Sequence, residues 1–109
     1  MFGAAAAAGR CLGLSGERIA ASFGLALSQA AGSLEFLAEG SWSKPFQVGW
    51  AAQSGLVAAR VAMEGFKAPA RGIDGKRGFL AAYAPDADPA KATAGLGSVW
   101  ETLNIAVKP

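Results

Sequence analysis

The amino-acid sequence predicts a mainly α-helical chain that ends in one β-strand. Long stretches rich in alanine and leucine are bracketed by residues that start or stop helices. A connector rich in glycine, proline and charge interrupts this pattern at residues 67–78. Apolar residues then alternate with polar ones in the last part of the chain, which is typical of a strand.

Composition describes the kind of core that these helices can build. With 109 residues and 11.0 kDa, the chain fits one small domain. Of its residues 52% are hydrophobic, many of them alanine, and 15 are glycine. We therefore expect close contacts between helices and a core of small side chains, which stabilises less per residue than one of Leu and Phe. Lys and Arg total 10 against 8 acidic residues, and they are scattered along the chain, so no nucleic-acid partner is expected.

Cysteine and histidine usage excludes several kinds of site. Cys11 is the single cysteine, so an internal disulfide is impossible and a reducing compartment, the cytoplasm, is expected. Its neighbours Ala, Gly and Leu predict a buried thiol. The chain has no histidine, which excludes a Ser/His/Asp triad, a histidine base and a histidine metal site within it. No metal site is expected from the aspartates either, and Arg10 interrupts the N-terminal apolar run too early for a membrane span.

The first three predicted helices have local start and stop signals. The first covers residues 3–12 and ends before Gly13. The second covers residues 16–31, with Ser15 as its N-cap and Glu17 in its first turn. A short third helix covers residues 34–39 and is stopped by Gly40.

The loop of residues 41–45 holds the residue of greatest functional interest, Lys44. Pro45 lacks a backbone N–H and disfavours helical geometry at the residue before it, so Lys44 is predicted to be extended or in a turn. A longer helix is predicted at residues 46–64, closed by Gly65 with Phe66 folding back. The Lys44 ammonium and the amides at that helix start could share one anionic ligand. The plain alternative is an ordinary surface lysine in a turn.

The C-terminal third has weaker signals. Residues 79–83 predict a short helix, and Asp88 followed by Pro89 predicts the start of another. The alternation of Leu103, Ile105 and Val107 predicts a strand. A lone strand leaves its backbone donors and acceptors unpaired, so we expect its partners to lie in a longer protein, of which this chain is an internal segment.

Several ordered motifs resemble one protein family. They are the run that contains GSWSKPFQVGWAAQSG, then GFKAP, then GKRGFLAAYA. Together they are similar to the MmgE/PrpD family, which includes 2-methylcitrate dehydratase, cis-aconitate decarboxylase and iminodisuccinate epimerase. The resemblance runs from Phe2 to Pro109. It implies a large all-helical domain and a smaller α+β lid, with the active site in the cleft between them, in a longer protein that is a homodimer. Residues 1–66 would belong to the helical domain, and residues 67–109 would form a connector and the start of the lid.

The resemblance also implies a chemistry. The family carries out acid–base reactions on small di- and tricarboxylates without a metal or an organic cofactor. Lys44 matches the family's active-site lysine, and Lys108 stands at the start of its second basic motif. Ser43 and Gln47 could hydrogen-bond the substrate, although a role in a tight turn explains Ser43 better. Gln47 stands where many relatives have histidine, and glutamine does not transfer protons at neutral pH, so the substrate stays open.

Two functions from different classes follow. The first is a segment of a cofactor-independent carboxylate lyase that abstracts a proton next to a carboxylate, with dehydration, decarboxylation or epimerisation. Alone, the chain is expected to be inactive, because it lacks the histidines that transfer protons in the family. The alternative is a non-catalytic helical interaction or structural module, or a degenerate remnant. Assembly with a separate chain that carries the missing parts ranks third.

Overall fold

A computed structural model describes residues 1–107 of the chain and is mainly helical, as predicted. The five α-helices are α1 (Phe2–Cys11), α2 (Gly16–Leu27), α3 (Phe36–Glu39), α4 (Ser43–Met63) and α5 (Phe79–Tyr83). Two 3-10 helices follow at Pro89–Ala92 and Glu101–Leu103. Among the described residues, no helix combines the length and the apolarity needed to cross a membrane.

Helices α1, α2 and α4 pack against one another and form the core. Its fully buried side chains are small. They are Ala5, Ser22, Ala26, Ser54, Ala58, Ala59 and Ala62. The predicted core of small residues is therefore confirmed, while many of the large apolar side chains lie at the surface.

Two glycines permit the closest contacts between these segments. A Cβ on Gly55 of α4 would lie 2.5 Å from the Ala4 Cβ and 2.6 Å from the Met1 carbonyl oxygen. A Cβ on Gly24 of α2 would collide with the Pro69 carbonyl oxygen, because the connector runs directly over α2 there. Real Cβ atoms do not approach other atoms so closely, so both contacts require glycine.

Most of the predicted helix ends are confirmed. The Ser15 hydroxyl accepts a hydrogen bond from the Arg18 amide at 3.3 Å. Gly65 has φ of +81° and donates to the Ala62 carbonyl, while Phe66 donates to the Val61 carbonyl at 3.4 Å. These two bonds define a Schellman motif, which satisfies carbonyl groups at the end of α4.

Three helix boundaries differ from the prediction by two residues or more. Helix α2 ends at Leu27 instead of Ala31, and α3 begins at Phe36 instead of Leu34. Helix α4 begins at Ser43 instead of Phe46, which places Lys44 inside its first turn and not in the preceding loop. The first N–H groups of a helix have no intrahelical acceptor, so Pro45 is tolerated there despite its missing donor.

Cys11 also differs from the prediction, because its side chain is exposed. It is the last residue of α1, just before the turn at Gly13, which has φ of +69°. Its apolar neighbours in sequence did not indicate this, since burial at a helix end depends on which way the last turn faces.

The C-terminal part is only partly as predicted. Helix α5 is confirmed, and Asp88 caps the next helix by accepting from the Ala90 amide at 3.0 Å, but that helix is 3-10. Leu103 lies in a 3-10 helix and not in a strand. A strand is recognised by its pairing with another strand, so the strand predicted at the C-terminal end stays a prediction.

The packing predicts opposite effects for two glycines of α4. Gly55→Ala should lower the free energy of unfolding by about 2 kcal/mol or more, because the new methyl group overlaps α1. The matched change Gly49→Ala meets no atom within 4 Å and should raise it by roughly 0.5–1 kcal/mol through helix propensity. Urea unfolding followed by circular dichroism measures both. Equal effects of the two changes would contradict this packing.

Candidate functional site

The first turn of α4 brings a cation and free backbone donors together. Among the described residues, the amides of Ser43 and Lys44 have no hydrogen-bond acceptor, and Pro45 has no N–H. The Phe46 amide, by contrast, donates to the Trp42 carbonyl at 3.4 Å. The Lys44 side chain is exposed on this same turn. Two N–H groups and one ammonium are therefore available to an anion.

The connection between α3 and α4 sets the position of this turn. Gly40 ends α3 in the left-handed conformation, with φ of +65°. The Ser41 and Ser43 hydroxyl groups then lie 2.9 Å apart and share a hydrogen bond. The turn role of the two serines is thus present in the structure, and the Ser43 hydroxyl still has capacity for a second bond.

Gln47 joins α4 to the segment that follows α2. Its Nε2 donates to the Ser33 carbonyl oxygen at 2.9 Å. A Cβ at Gly32, where φ is +131°, would lie 3.4 Å from the Gln47 Oε1, so the amide is packed closely against the chain there. This contact spans fourteen residues of sequence. Sequence reasoning missed it because no local signal pairs a glutamine with a distant carbonyl.

The predicted site residues line two neighbouring cavities. Ser43 and Gln47 line one of about 390 Å³, beside Phe46 and Trp50. Lys44 lines another of about 540 Å³, beside Trp42. The predicted substrate-binding residues therefore lie on one turn of helix, but Lys44 opens onto a different cavity from the other two.

Exposed aromatic side chains surround this turn. Trp42 is 87% exposed and Trp50 is 46% exposed. The Phe46 and Trp50 rings stack with their centroids 6.3 Å apart. Neither tryptophan belongs to the core, which is formed by the small residues of α1, α2 and α4.

The one ion pair among residues 1–107 lies elsewhere, in the connector. The Arg71 guanidinium is 2.8 Å from the Asp74 carboxylate. Its hydrogen bond lowers the pKa of Asp74, and the same bond raises the pKa of Arg71. Opposite charges three residues apart in the sequence indicate an ion pair of this kind. Both side chains are well exposed, so the pair organises the connector and adds little to stability.

Within the described range, no three or more Asp, Glu, Cys or His residues are grouped as a metal site would require. Lys108, the second predicted basic residue, lies outside the described residues, so its role stays a prediction.

Comparison with known proteins agrees with the sequence motifs. The family model described as MmgE/PrpD N-terminal domain matches residues 1–92. The chain belongs to the MmgE/PrpD family. Its match continues past Phe66, and the predicted division into two domains there stays a prediction.

One curated relative extends this assignment. The MmgE/PrpD chain is 35% identical over 112 aligned positions to the cis-aconitate decarboxylase-like protein oryM of Aspergillus oryzae (strain ATCC 42149 / RIB 40). The alignment covers 96% of the chain but 23% of the relative, so the chain spans about a quarter of that protein's length. No solved structure matches the chain.

The contact between Gln47 and Ser33 predicts a structural role for Gln47. Gln47→Glu removes the donor and places a carboxylate against a carbonyl oxygen, so residues 28–35 should become several-fold more sensitive to limited proteolysis. Gln53→Glu, on the same helix and exposed, is the matched control and should leave the cleavage rate unchanged. Unchanged cleavage in both variants would show that this bond does not hold the segment.

Proposed function

We propose that this MmgE/PrpD chain supplies a carboxylate-binding helix start to a lyase that acts on small di- or tricarboxylates. Family membership and a relative named as cis-aconitate decarboxylase-like support the reaction class. The observation that supports this role for particular atoms is that the Lys44 side chain and the free amides of Ser43 and Lys44 lie on the same turn of α4. We expect the protein to work in the reducing cytoplasm, where the exposed thiol of Cys11 stays reduced.

The first turn of α4 suits a carboxylate for two reasons. The partial positive charge of a helix N-terminus favours an anion, and 21 residues of α4 align their peptide dipoles towards it. The ammonium and the two amides are also separate donors, so two carboxylates of one substrate could be held at once. The nearby acidic residues Glu35 and Glu39 are not paired with Lys44 in the described part.

In this proposal the lysine does more than bind. Dehydration, decarboxylation and epimerisation next to a carboxylate all develop negative charge on the carboxylate-bearing carbon or its oxygens. A lysine hydrogen-bonded to that group stabilises the charge as it forms and can deliver a proton to it. Lys44 takes this role, with Lys108 as the second basic residue.

Gln47 and Ser43 take weaker roles. One N–H of the Gln47 amide is engaged with Ser33, and its Oε1, which lies beside Gly32, stays available as an acceptor. An acceptor suits a substrate hydroxyl group better than a carboxylate. The Ser43 hydroxyl, already bonded to Ser41, orients the first turn and has one further bond to offer.

A second candidate function, a helical interaction module, also has a specific observation in its favour. Large apolar residues of α4 are exposed, with Phe46 at 67% and Leu56 at 46%. Such surfaces mark contacts with another protein surface. This function is compatible with the first, because the exposed face begins at Phe46, beside the free amides, and continues along the helix to Leu56.

Binding of cis-aconitate and 2-methylcitrate to the ¹⁵N-labelled chain tests the proposal. We expect the largest chemical-shift changes at the amides of Ser43 and Lys44, without turnover, since the chain has no histidine. Lys44→Ala should weaken binding roughly fivefold, because an exposed ion pair contributes up to about 1 kcal/mol. Lys91→Ala, in the 3-10 helix at Pro89–Ala92, is the matched control and should bind normally.

Three results would contradict the proposal. One is equal binding by the Lys44→Ala and Lys91→Ala variants. Another is a set of shift changes confined to the connector, where Arg71 and its basic neighbours lie. The third is measurable dehydration or decarboxylation by the chain that survives Lys44→Ala.

A further inference from the structure

The connector contains a compact loop, residues 71–78, that takes no part in the function proposed above. Four backbone hydrogen bonds of 2.8–3.0 Å close it. They run from the amide of Gly75 to the carbonyl of Arg71, from Gly78 to Gly75, from Phe79 to Gly72 and from Leu80 to Ile73. Backbone groups that are paired with one another in this way hold the 71–78 loop in one conformation.

Glycine is required at two positions of the 71–78 loop. A Cβ on Gly75 would lie 2.5 Å from the Arg71 carbonyl oxygen, and a Cβ on Gly78 would lie 2.8 Å from the carbonyl oxygens of Gly72 and Ile73. Without side chains at these positions, the backbone can turn tightly enough to form its hydrogen bonds. The loop is therefore ordered without a ligand, which reduces the entropy that a ligand must lose by ordering it.

The hydrogen bonds of this loop occupy acceptors and leave donors free. Within residues 1–107, the backbone amides of Lys76 and Arg77 have no acceptor. Most carbonyl groups of the loop, by contrast, accept from an amide. They are those of Arg71, Gly72, Ile73, Gly75 and Gly78. Free N–H groups attract an anion and free carbonyl oxygens repel one, so this arrangement favours a negatively charged ligand.

The connector also carries more positive charge than the whole chain. Residues 67–78 include four basic residues and one acidic residue, a net charge of +3, whereas the chain has +2. The acidic residue, Asp74, is paired with Arg71. Lys76 and Arg77 are exposed and have no acidic partner in the described part of the chain. An anion is therefore attracted to this stretch from solution.

A cavity of about 370 Å³ brings the cations and the loop together. Arg71, Lys76 and Arg77 line it, as do the three glycines of the loop, and none of the acidic residues described in the structure does. Leu27 and Pro69 add an apolar wall. Clefts of about 300–1,000 Å³ are typical of small-molecule sites, so this cavity has room for more than a bare ion.

We propose that the 71–78 loop binds a phosphate group, as the free ion or as the ester of a small molecule. A phosphate ester carries about −1.5 to −2 charges at neutral pH and offers three acceptor oxygens. The Arg77 guanidinium can bond two of these oxygens at once, while Lys76 supplies a second charge and the two free amides supply further donors.

A carboxylate would use this loop less well, because it carries one charge on two oxygens. The loop therefore differs in its ligand from the first turn of α4, where the carboxylate site is proposed. It also lines a different cavity from Ser43, Lys44 and Gln47.

Titration of the ¹⁵N-labelled chain with inorganic phosphate, at about 150 mM NaCl to screen weak surface attraction, tests the proposal. The amides of Lys76 and Arg77 should show the largest chemical-shift changes, and these should saturate. Arg77→Gln should weaken binding roughly fivefold through the loss of one exposed charge. Arg10→Gln is the matched control, since Arg10 is exposed on α1, and it should bind like wild type.

A second titration, with glycerol 3-phosphate, distinguishes the two sources of the phosphate group, and glycerol is its control. Saturable changes at the loop with both phosphate compounds assign the site to phosphate esters. Changes with the free ion alone assign it to inorganic phosphate.

The proposal fails on any of three results. The first is no saturable change at the loop with either compound, or changes spread evenly over the lysines and arginines of the chain. The second is equal binding by the Arg77→Gln and Arg10→Gln variants. The third is binding of succinate to the loop as tightly as phosphate, which would show that charge alone attracts the ligand. The proposed carboxylate site is read separately, at the amides of Ser43 and Lys44, so either site can fail without the other.

Discussion

The rest of the structure depends on the close approach of α1 to α4 at Gly55. The Met1 carbonyl and the Ala4 methyl group occupy the space that a side chain at position 55 would need. This contact fixes which side of α4 faces inward, because the buried residues on either side of it, Ser54 and Ala58, follow from the same rotation of the helix. The exposure of Phe46, Leu56 and Val57 on the opposite side of α4 follows from that one rotation.

A core of small side chains buries little of the apolar surface that this chain has. Alanine and serine side chains remove little apolar area from water, whereas the large side chains, including Trp42, Trp50 and Phe46, remain exposed. Close packing of backbones gains dispersion energy, but each small residue contributes few contacts. Much of the apolar surface whose burial would stabilise the chain therefore stays in contact with water.

The sequence predicted features that depend on local chemistry and missed those that depend on packing. Ser15, Gly65 and Asp88 were read correctly, because capping involves atoms within a few residues of one another. The start of α4 was misplaced, because the rule for residues before proline weakens in a first turn, where donors are already unpaired. The exposure of Cys11 and the bond from Gln47 to Ser33 depend on how segments that are distant in sequence meet. A single sequence contains no signal for such contacts. Of the candidate site, the sequence identified the residues and their helix, but not the separation of Lys44 from Ser43 and Gln47 into two cavities.

How strongly Lys44 and the neighbouring amides attract a carboxylate depends on their surroundings. An ammonium and two amides exposed to water attract a carboxylate weakly, since the solvent competes for every hydrogen bond and screens the charge. The same groups become far more effective when water is removed, and the surface beside Lys44 is already apolar: Trp42 and Leu37 line its cavity, and both are largely exposed. The hydrophobic effect favours burial of these side chains under another surface, and such burial also removes water from around Lys44. Covering this turn and strengthening the attraction of Lys44 for an anion are therefore coupled, because the apolar side chains that favour the covering lie next to the charge.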